Sequence, residues 1–323
     1  MSINLQTDAP PPVKLLLNSE HATTYTYPNE STDYFINFNR INRPDEYDIY
    51  VSLESCVIPV TMYSISQHRQ TNKIDIKETD DDGSNPETAT VTLNEGNYNA
   101  NDLATHIAAQ LNSTSPKNLV YTVTYDDILN KYKIYIDQKK AYFLFNTGVS
   151  SSNLYQIIGY NKEDVEITTS SLNTTTNCLD MYGGLHNVYV FSDLVDYHTI
   201  SLSTGDQNNI LARIPINVDA GGLLVYNTPH RKVDKFSGTN GINGIHLRLE
   251  DEFGKYLKLN GLHWSCEIML SFHLKKPMIY MTSRKDMMGV YAVGDIKPKR
   301  KRPQLIHRKP PRRKKEEKSE NKK

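Results

Sequence analysis

The sequence predicts a mainly β-stranded protein: a β-sandwich that carries a small inserted α+β domain and has disordered ends. Stretches with a two-residue hydrophobic period occur in the first and last thirds of the 323-residue chain, and this period marks a strand with one buried face. The composition suits strands and polar turns, with 21 tyrosines against 1 tryptophan. A single well-formed amphipathic helix is predicted, in the middle of the chain. The length is sufficient for a buried core.

The first third opens with an irregular stretch and continues with two strands. Residues 1–29 contain three consecutive prolines and little periodicity, so we expect an N-terminal arm. Apolar side chains then alternate with polar ones in residues 34–38 and again in residues 49–57. A two-residue period over that length predicts half-buried strands.

The middle of the chain combines a helix with short strands, and we place this inserted α+β domain at residues 72–165. The helix is predicted over residues 101–112, and either Asn99 or Asn101 can cap it, because the side-chain oxygen accepts a free backbone N–H. Its apolar stripe consists of Leu103, Ile107 and Leu111. The surrounding strands are predicted at residues 73–76, 121–125 and 132–136.

The last third returns to strand patterns, which are strongest near its end. The strands are predicted at residues 188–191, 210–216, 223–226, 245–249 and 264–274. Residues 30–71 and 178–280 would together form the sandwich. Pairing of early strands with late strands is typical of Greek-key and jelly-roll topologies. Residues 281–323 are predicted to be an extended basic tail, disordered at its end.

The zero net charge hides two opposite parts. Residues 296–323 hold 14 Lys+Arg and 3 Glu, a net of +11, so the rest of the chain, with 23 Lys+Arg and 34 Asp+Glu, has a net of −11. Clustered basic residues release counterions on meeting phosphates, which predicts nucleic-acid binding without sequence preference; a nuclear-import signal is the alternative. The candidate residues are Lys297, Lys299, Arg300, Lys301, Arg302, Arg308, Lys309, Arg312, Arg313, Lys314 and Lys315.

Motifs for catalysis, cofactors and metals are not found, and we expect neither an enzyme nor a cofactor-binding protein. The acidic loop at residues 80–83 has Ala89 where a calcium loop needs a bidentate glutamate. The glycine clusters lack the Lys-Ser/Thr of a phosphate loop and indicate turns, and solvent-facing positions are expected for His246 and His273. Cys56, Cys178 and Cys266 are predicted to be buried free thiols. We expect no membrane span, no signal peptide and an intracellular protein.

Four short segments lie at residues 54–65, 93–98, 209–215 and 249–254. In this order they resemble segments of the penton and minor capsid proteins of eukaryotic double-stranded DNA viruses (virophages, Polinton-like elements and nucleocytoplasmic large DNA viruses). Residues 54–65 are similar to their strand followed by Ile-Pro and Tyr-x-Ile. Residues 93–98 are similar to their EGNY turn before a helix. Residues 209–215 and 249–254 resemble later parts of the same pattern.

The resemblance implies a jelly-roll subunit from which the inserted domain projects, and it brings no catalytic residues. It implies a structural protein of the virion, a penton or minor capsid protein that forms a ring, such as a homopentamer, in an icosahedral capsid. The expected partners are further copies of the chain, the major capsid protein and, through the tail, viral DNA. Assembly in the host cytoplasm or nucleus is expected. The alternative is a receptor- or glycan-binding attachment protein, which the tyrosine-rich middle unit favours.

Overall fold

The computed structural model describes residues 9–28, 30–171, 173–196, 199–200, 207–228, 233–236, 238 and 241–275. The strands, in chain order, are β1 (Val13–Asn18), β2 (Thr24–Tyr25), β3 (Asp33–Ile41), β4 (Tyr47–Pro59), β5 (Lys73–Thr79), β6 (Glu87–Thr92), β7 (Tyr121–Asp126), β8 (Lys131–Ile136), β9 (Lys140–Leu144), β10 (Asp164–Ile167), β11 (Asn187–Ser192), β12 (Thr199–Ile200), β13 (Gln207–Asn208), β14 (Ile210–Pro215), β15 (Leu223–Asn227), β16 (Asp234–Lys235), β17 (Ile242–Glu250) and β18 (Ser265–Leu274). The helices are α1 (Ala100–Thr114), α2 (Leu154–Ile157) and a 3-10 turn at Ser19–His21.

Two antiparallel sheets form a sandwich with jelly-roll topology. The first sheet has the order β1-β18-β4-β15, with β16 also beside β4, and the second has the order β14-β11-β17-β3-β2. When the eight main strands are numbered along the chain, the first sheet reads 1-8-3-6 and the second 5-4-7-2. Each sheet therefore mixes early and late strands, as two Greek keys do. The predicted β-sandwich fold class is confirmed.

The core of the sandwich lies between the inner faces of the two sheets. Ile49, Val51 and Leu53 of β4 are buried there, opposite the inward side chains of β18. The only tryptophan, Trp264, is also buried, donates its indole N–H to the Ser31 carbonyl at 2.9 Å, and packs edge-on against Tyr34. Burial of each large apolar side chain contributes roughly 1.5–3 kcal/mol, so this core is the main stabilising feature of the sandwich.

A second core belongs to the α+β unit, where α1 packs with a β10-β9-β5-β6 sheet and the β7-β8 hairpin. The predicted stripe of Leu103, Ile107 and Leu111 is buried against it. Of the two candidate caps, Asn99 is the one used, and its Oδ1 accepts the Asp102 N–H at 2.8 Å. This second core extends from Ile65 to Leu179, so its apolar contacts reach beyond residues 72–165.

The structure differs from the sequence prediction at β1 and at Cys178. Residues 13–18 of the predicted arm form β1, and every residue of β1 pairs with β18. Their two-residue period is short and is obscured by three consecutive leucines, of which Leu17 is buried and Leu16 faces outward. Cys56 and Cys266 are buried as predicted, but Cys178 is exposed because in its loop the neighbouring Leu179 takes the buried position.

Residues 276–323, which include the predicted disordered tail, lie outside the described residues. Among the residues that the structure describes, no helix is long and apolar enough to cross a bilayer.

Candidate functional site: the junction and the two sheet edges

The segment that leaves β4 is fixed to the turn before α1. Ile65 and Gly96 form an isolated antiparallel bridge, with N···O distances of 3.1 and 3.0 Å. The Asn97 side chain adds two hydrogen bonds: its Oδ1 accepts the Ser64 N–H at 2.8 Å, and its Nδ2 donates to the Met62 carbonyl at 3.1 Å. The first two segments of the family resemblance are therefore in direct contact.

Arg69 is a buried cation at this junction and was not singled out by the sequence. Its guanidinium donates to the carbonyls of Tyr182 and Gly183 at 3.1 and 2.7 Å. Burial lowers the pKa of Arg69, and the nearby carboxylates of Asp251 and Asp180 oppose that effect. The contact ties the segment before β5 to the loop that returns to the sandwich.

Gly183 allows this close approach. It has a left-handed φ of +62°, and a Cβ there would lie 3.0 Å from the Ile157 side chain. A larger residue would be both strained and crowded at this position. The predicted turn at this glycine cluster is therefore present, and its conformation serves the Arg69 contact.

A cleft of about 480 Å³ opens beside Arg69, and a smaller cavity of about 150 Å³ lies on its other side. The cleft is lined mainly by apolar side chains, together with Arg69, Asn97 and Asn99. Each of these three polar side chains already bonds to a protein group. The carboxylate of Asp219 also lines the cleft and accepts the Tyr182 hydroxyl at 3.3 Å. The arrangement fixes the α+β unit to the sandwich.

The two edges of the first sheet each carry exposed apolar side chains. On β1, Leu16 is 79% exposed; on β15, Leu223 and Val225 are 60% and 57% exposed. An edge strand also presents unpaired N–H and C=O groups that can pair with another chain, and apolar side chains beside them favour such contact. Because β1 and β15 lie at opposite ends of the strand order, the chain has two different candidate contact patches.

The outer face of the second sheet holds a partly buried ion pair. Nε2 of His246 lies 2.6 Å from Oδ1 of Asp33, which also accepts the Thr26 hydroxyl at 2.6 Å. The hydrogen bond with Asp33 raises the pKa of His246, although burial opposes it. Burial raises the pKa of Asp33, but the hydrogen bonds from His246 and Thr26 outweigh this and lower it. His246 therefore lies on the outer face, as predicted, but the contact with Asp33 leaves it only partly exposed, while His273 is exposed.

The remaining sequence-predicted residues fall into two groups. All the basic candidates for nucleic-acid binding, from Lys297 to Lys315, lie outside the described residues. Within the described part of the chain, no group of three or more His, Cys, Asp or Glu residues is placed to hold a metal ion. The acidic loop is a hairpin tip in which Asp80 pairs with Lys117 at 3.2 Å.

Comparison with solved structures gives a likeness in fold. No protein-family model matches the chain, and no curated protein sequence matches it. Among solved structures, the chain is similar to the crystal structure of a mavirus penton protein, with 9% sequence identity and a TM-score of 0.49. The overlap covers 81% of this chain and 100% of that one. At this level of similarity, the jelly-roll assignment depends on the strand order described above.

Proposed function

We propose that this chain is a structural capsid subunit, a penton or minor capsid protein, that assembles into a ring. Jelly rolls occur in capsid proteins, lectins and cupins, so the fold alone does not select among them. The observation that carries the proposal is the pair of exposed apolar patches on opposite edges of one sheet, at Leu16 on β1 and at Leu223 and Val225 on β15.

Two different patches on one subunit are what a closed ring requires. A head-to-tail contact joins one patch to the other, and it closes when the rotation between subunits divides a full turn. The β1 edge of one subunit would meet the β15 edge of the next. A ring of five copies at the vertex of an icosahedral capsid satisfies this geometry, and the major capsid protein would surround it.

The basic tail gives this subunit a second contact. Residues 296–323 have a net charge of +11, and the rest of the chain has −11. The acidic part repels phosphate, so the tail is the part suited to meet the viral genome or an inner layer. The cleft at the junction would have no direct role in assembly. The contacts around it would hold the α+β unit at a fixed angle to the ring.

The attachment-protein alternative has less support in the structure than in the sequence. It was favoured by the tyrosines of residues 72–165, but Tyr121, Tyr132 and Tyr160 are buried there. The tyrosines with larger exposure, such as Tyr25 and Tyr63, lie outside that unit. The other five tyrosines of residues 72–165 are half-buried, so none of the eight in the unit is fully exposed as a platform for stacking against sugars.

The assembly proposal is tested by the mass of the full chain in solution. We expect a multiple of the single-chain mass by light scattering, and a fall to the single-chain mass for Leu16→Glu or for Leu223→Glu combined with Val225→Glu. Val149→Glu is the matched control, because Val149 is 89% exposed but lies in a loop of the α+β unit. A wild-type chain that stays monomeric at high concentration and varied ionic strength would contradict ring assembly.

The tail is tested separately by removal of residues 296–323. We expect binding to duplex DNA to disappear while the mass of the assembly stays unchanged. If the tail makes about 6–10 phosphate contacts, the affinity of the intact protein should fall roughly 10³–10⁵-fold between 50 and 200 mM salt. Replacement of Lys299, Arg300, Lys301, Arg302, Arg312, Arg313, Lys314 and Lys315 by Gln should weaken binding nearly as much. Unchanged affinity after truncation would leave nuclear import as the role of the tail.

A further inference from the structure

Two of the three cysteines lie directly opposite each other in the sandwich. Cys56 of β4 and Cys266 of β18 are Cα partners in the antiparallel register. Opposite residues in such a ladder have Cα atoms about 4.5–5.5 Å apart. This separation lies within the range of about 4.4–6.8 Å over which disulfides form.

The two thiols also point to the same side of the sheet. Both belong to the apolar core between the sheets, where Cys56 is 1% and Cys266 is 5% exposed. They occupy one row across the sheet, with Leu17 of β1 beside Cys266 and Tyr226 of β15 beside Cys56. Residues that face each other in one row of a sheet bring their Cβ atoms close together.

The electrostatics support this proximity. Burial raises the pKa of Cys56 well above its ordinary value, and the neighbouring Cys266 raises it further. Burial raises the pKa of Cys266 to about 12. The buried hydroxyl of Tyr34 is close enough to both thiols that each contributes to the raised pKa of this tyrosine, after burial itself.

We propose that Cys56 and Cys266 are a redox pair that closes into a disulfide by exchange with a small-molecule disulfide. The thiolate of one cysteine attacks a sulfur of the small molecule, forms a mixed disulfide and releases one thiol. The thiolate of the other cysteine then attacks the protein sulfur of the mixed disulfide and releases the second thiol. The two protons lost by the cysteines are taken up by the two released thiols.

The closed bond would join β4 to β18, the third and eighth strands of the jelly roll. These strands lie on either side of the α+β unit in the sequence, so the bond would link the two halves of the sandwich across that insertion. A cross-link that closes so long a loop restricts the unfolded chain strongly. Burial and the high pKa values suppress the thiolate form of both cysteines. We therefore expect exchange to occur while the chain folds or when the core opens transiently, and to be slow in the intact core.

The exposed Cys178 provides an internal control. The full chain is unfolded in denaturant, refolded with excess oxidised glutathione, and digested without reduction for peptide mapping. We expect a peptide pair that links Cys56 to Cys266, and an intact mass with a single glutathione adduct, on Cys178. Free or glutathione-bound Cys56 and Cys266, or a bond from either of them to Cys178, would overturn the proposal.

Measurements of unfolding stability and of the rate of thiol modification complete the test, so that it does not depend on a single variant. The oxidised protein should unfold at a higher denaturant concentration than the reduced protein, and Cys56→Ala should abolish this shift while Cys178→Ser preserves it. In the folded protein, oxidised glutathione should modify Cys178 more than roughly 100-fold faster than it closes the pair. An equal rate at all three thiols would contradict the buried, paired arrangement.

Discussion

The sandwich and the α+β unit are built from the sequence in opposite ways. In the sandwich, the central contacts join distant segments: β18 lies between β1 and β4, with Val13 opposite Leu270. In the α+β unit, β5, β6, α1 and β7 to β10 come from one contiguous stretch. Because its contacts are local, the α+β unit can be inserted between two sandwich strands, β4 and β11, without altering the order of the jelly roll.

The two regions also differ in how they bury polar groups. In the α+β unit, the carboxylate of Glu78 is fully buried and accepts three hydrogen bonds, from the Tyr121 hydroxyl at 2.8 Å, the Ser115 hydroxyl at 2.9 Å and the Lys117 N–H at 2.8 Å. In the sandwich, the core between the sheets is apolar, and charged pairs such as Asp33 and His246 lie on the outer face. Both regions have an apolar core, and the α+β unit contains in addition a buried, hydrogen-bonded carboxylate.

Deletion of the α+β unit is expected to have the largest effect, and its outcome should depend on where the cuts are made. Removal of residues 65–179 with a short Gly/Ser bridge takes away the whole second core, so we expect a sandwich that still unfolds cooperatively in urea. Removal of residues 72–160 alone leaves Ile65, Ile167 and Leu179 without their core, so we expect aggregation or loss of cooperativity. Loss of cooperative unfolding after the wider deletion would show that the two regions share one stability unit.

The buried carboxylate gives the next largest effect. Glu78→Gln keeps the shape but turns one acceptor into a donor, which leaves buried donors unpaired and should lower the free energy of unfolding by about 2–3 kcal/mol. Glu267→Gln is the matched change in the sandwich, where Glu267 pairs with the exposed Lys14, and it should change little. Equal effects of the two substitutions in urea unfolding would remove the contrast between the regions.

The ion pair on the sandwich surface gives the smallest effect, and it depends on pH. The pKa of His246 is raised in the folded state, so its stabilisation is complete below the ordinary histidine pKa of about 6.5 and is lost as the pH rises through the folded-state pKa. The side chain is 36% exposed, and solvent screening limits the loss to about 0.5 kcal/mol.

The His246→Gln variant should therefore lack this loss in urea titrations from about pH 6 to about pH 9. The exposed His273 provides the control, and His273→Gln should retain the wild-type pH dependence. If the loss of stability with rising pH persists in the His246→Gln variant, it comes from another titrating group.

Much of the fold could be predicted because its strands have strong local patterns. The alternation in β4 and β18, the stripe of α1 and the Asn99 cap are all properties of neighbouring residues. β1 was missed because its six residues, with three consecutive leucines, do not show a clear alternation of apolar and polar side chains. Its strand character depends on pairing with β18. β9 and β10 were missed for the same reason, because a short strand in a sheet is defined by its neighbours.

The candidate site was less predictable than the fold. The family resemblance pointed to residues 54–65 and 93–98, and the structure brings these two segments together through Ile65 and Gly96. Arg69 and the exposed edge residues could not be found, because burial of one arginine and exposure of one leucine follow from packing between distant segments. The basic tail needed only a count of charges, and its role stays a prediction.

The proposed contact between two different edges of one sheet is tested by mixing two defective variants. Leu16→Glu removes the β1 patch and keeps the β15 patch, while Leu223→Glu with Val225→Glu does the reverse. Each variant alone should be monomeric, and an equimolar mixture should form one-to-one dimers by light scattering, because the intact edges can meet only once. Two variants that remain monomeric after mixing, or that assemble like wild type when alone, would contradict head-to-tail contact between the two edges.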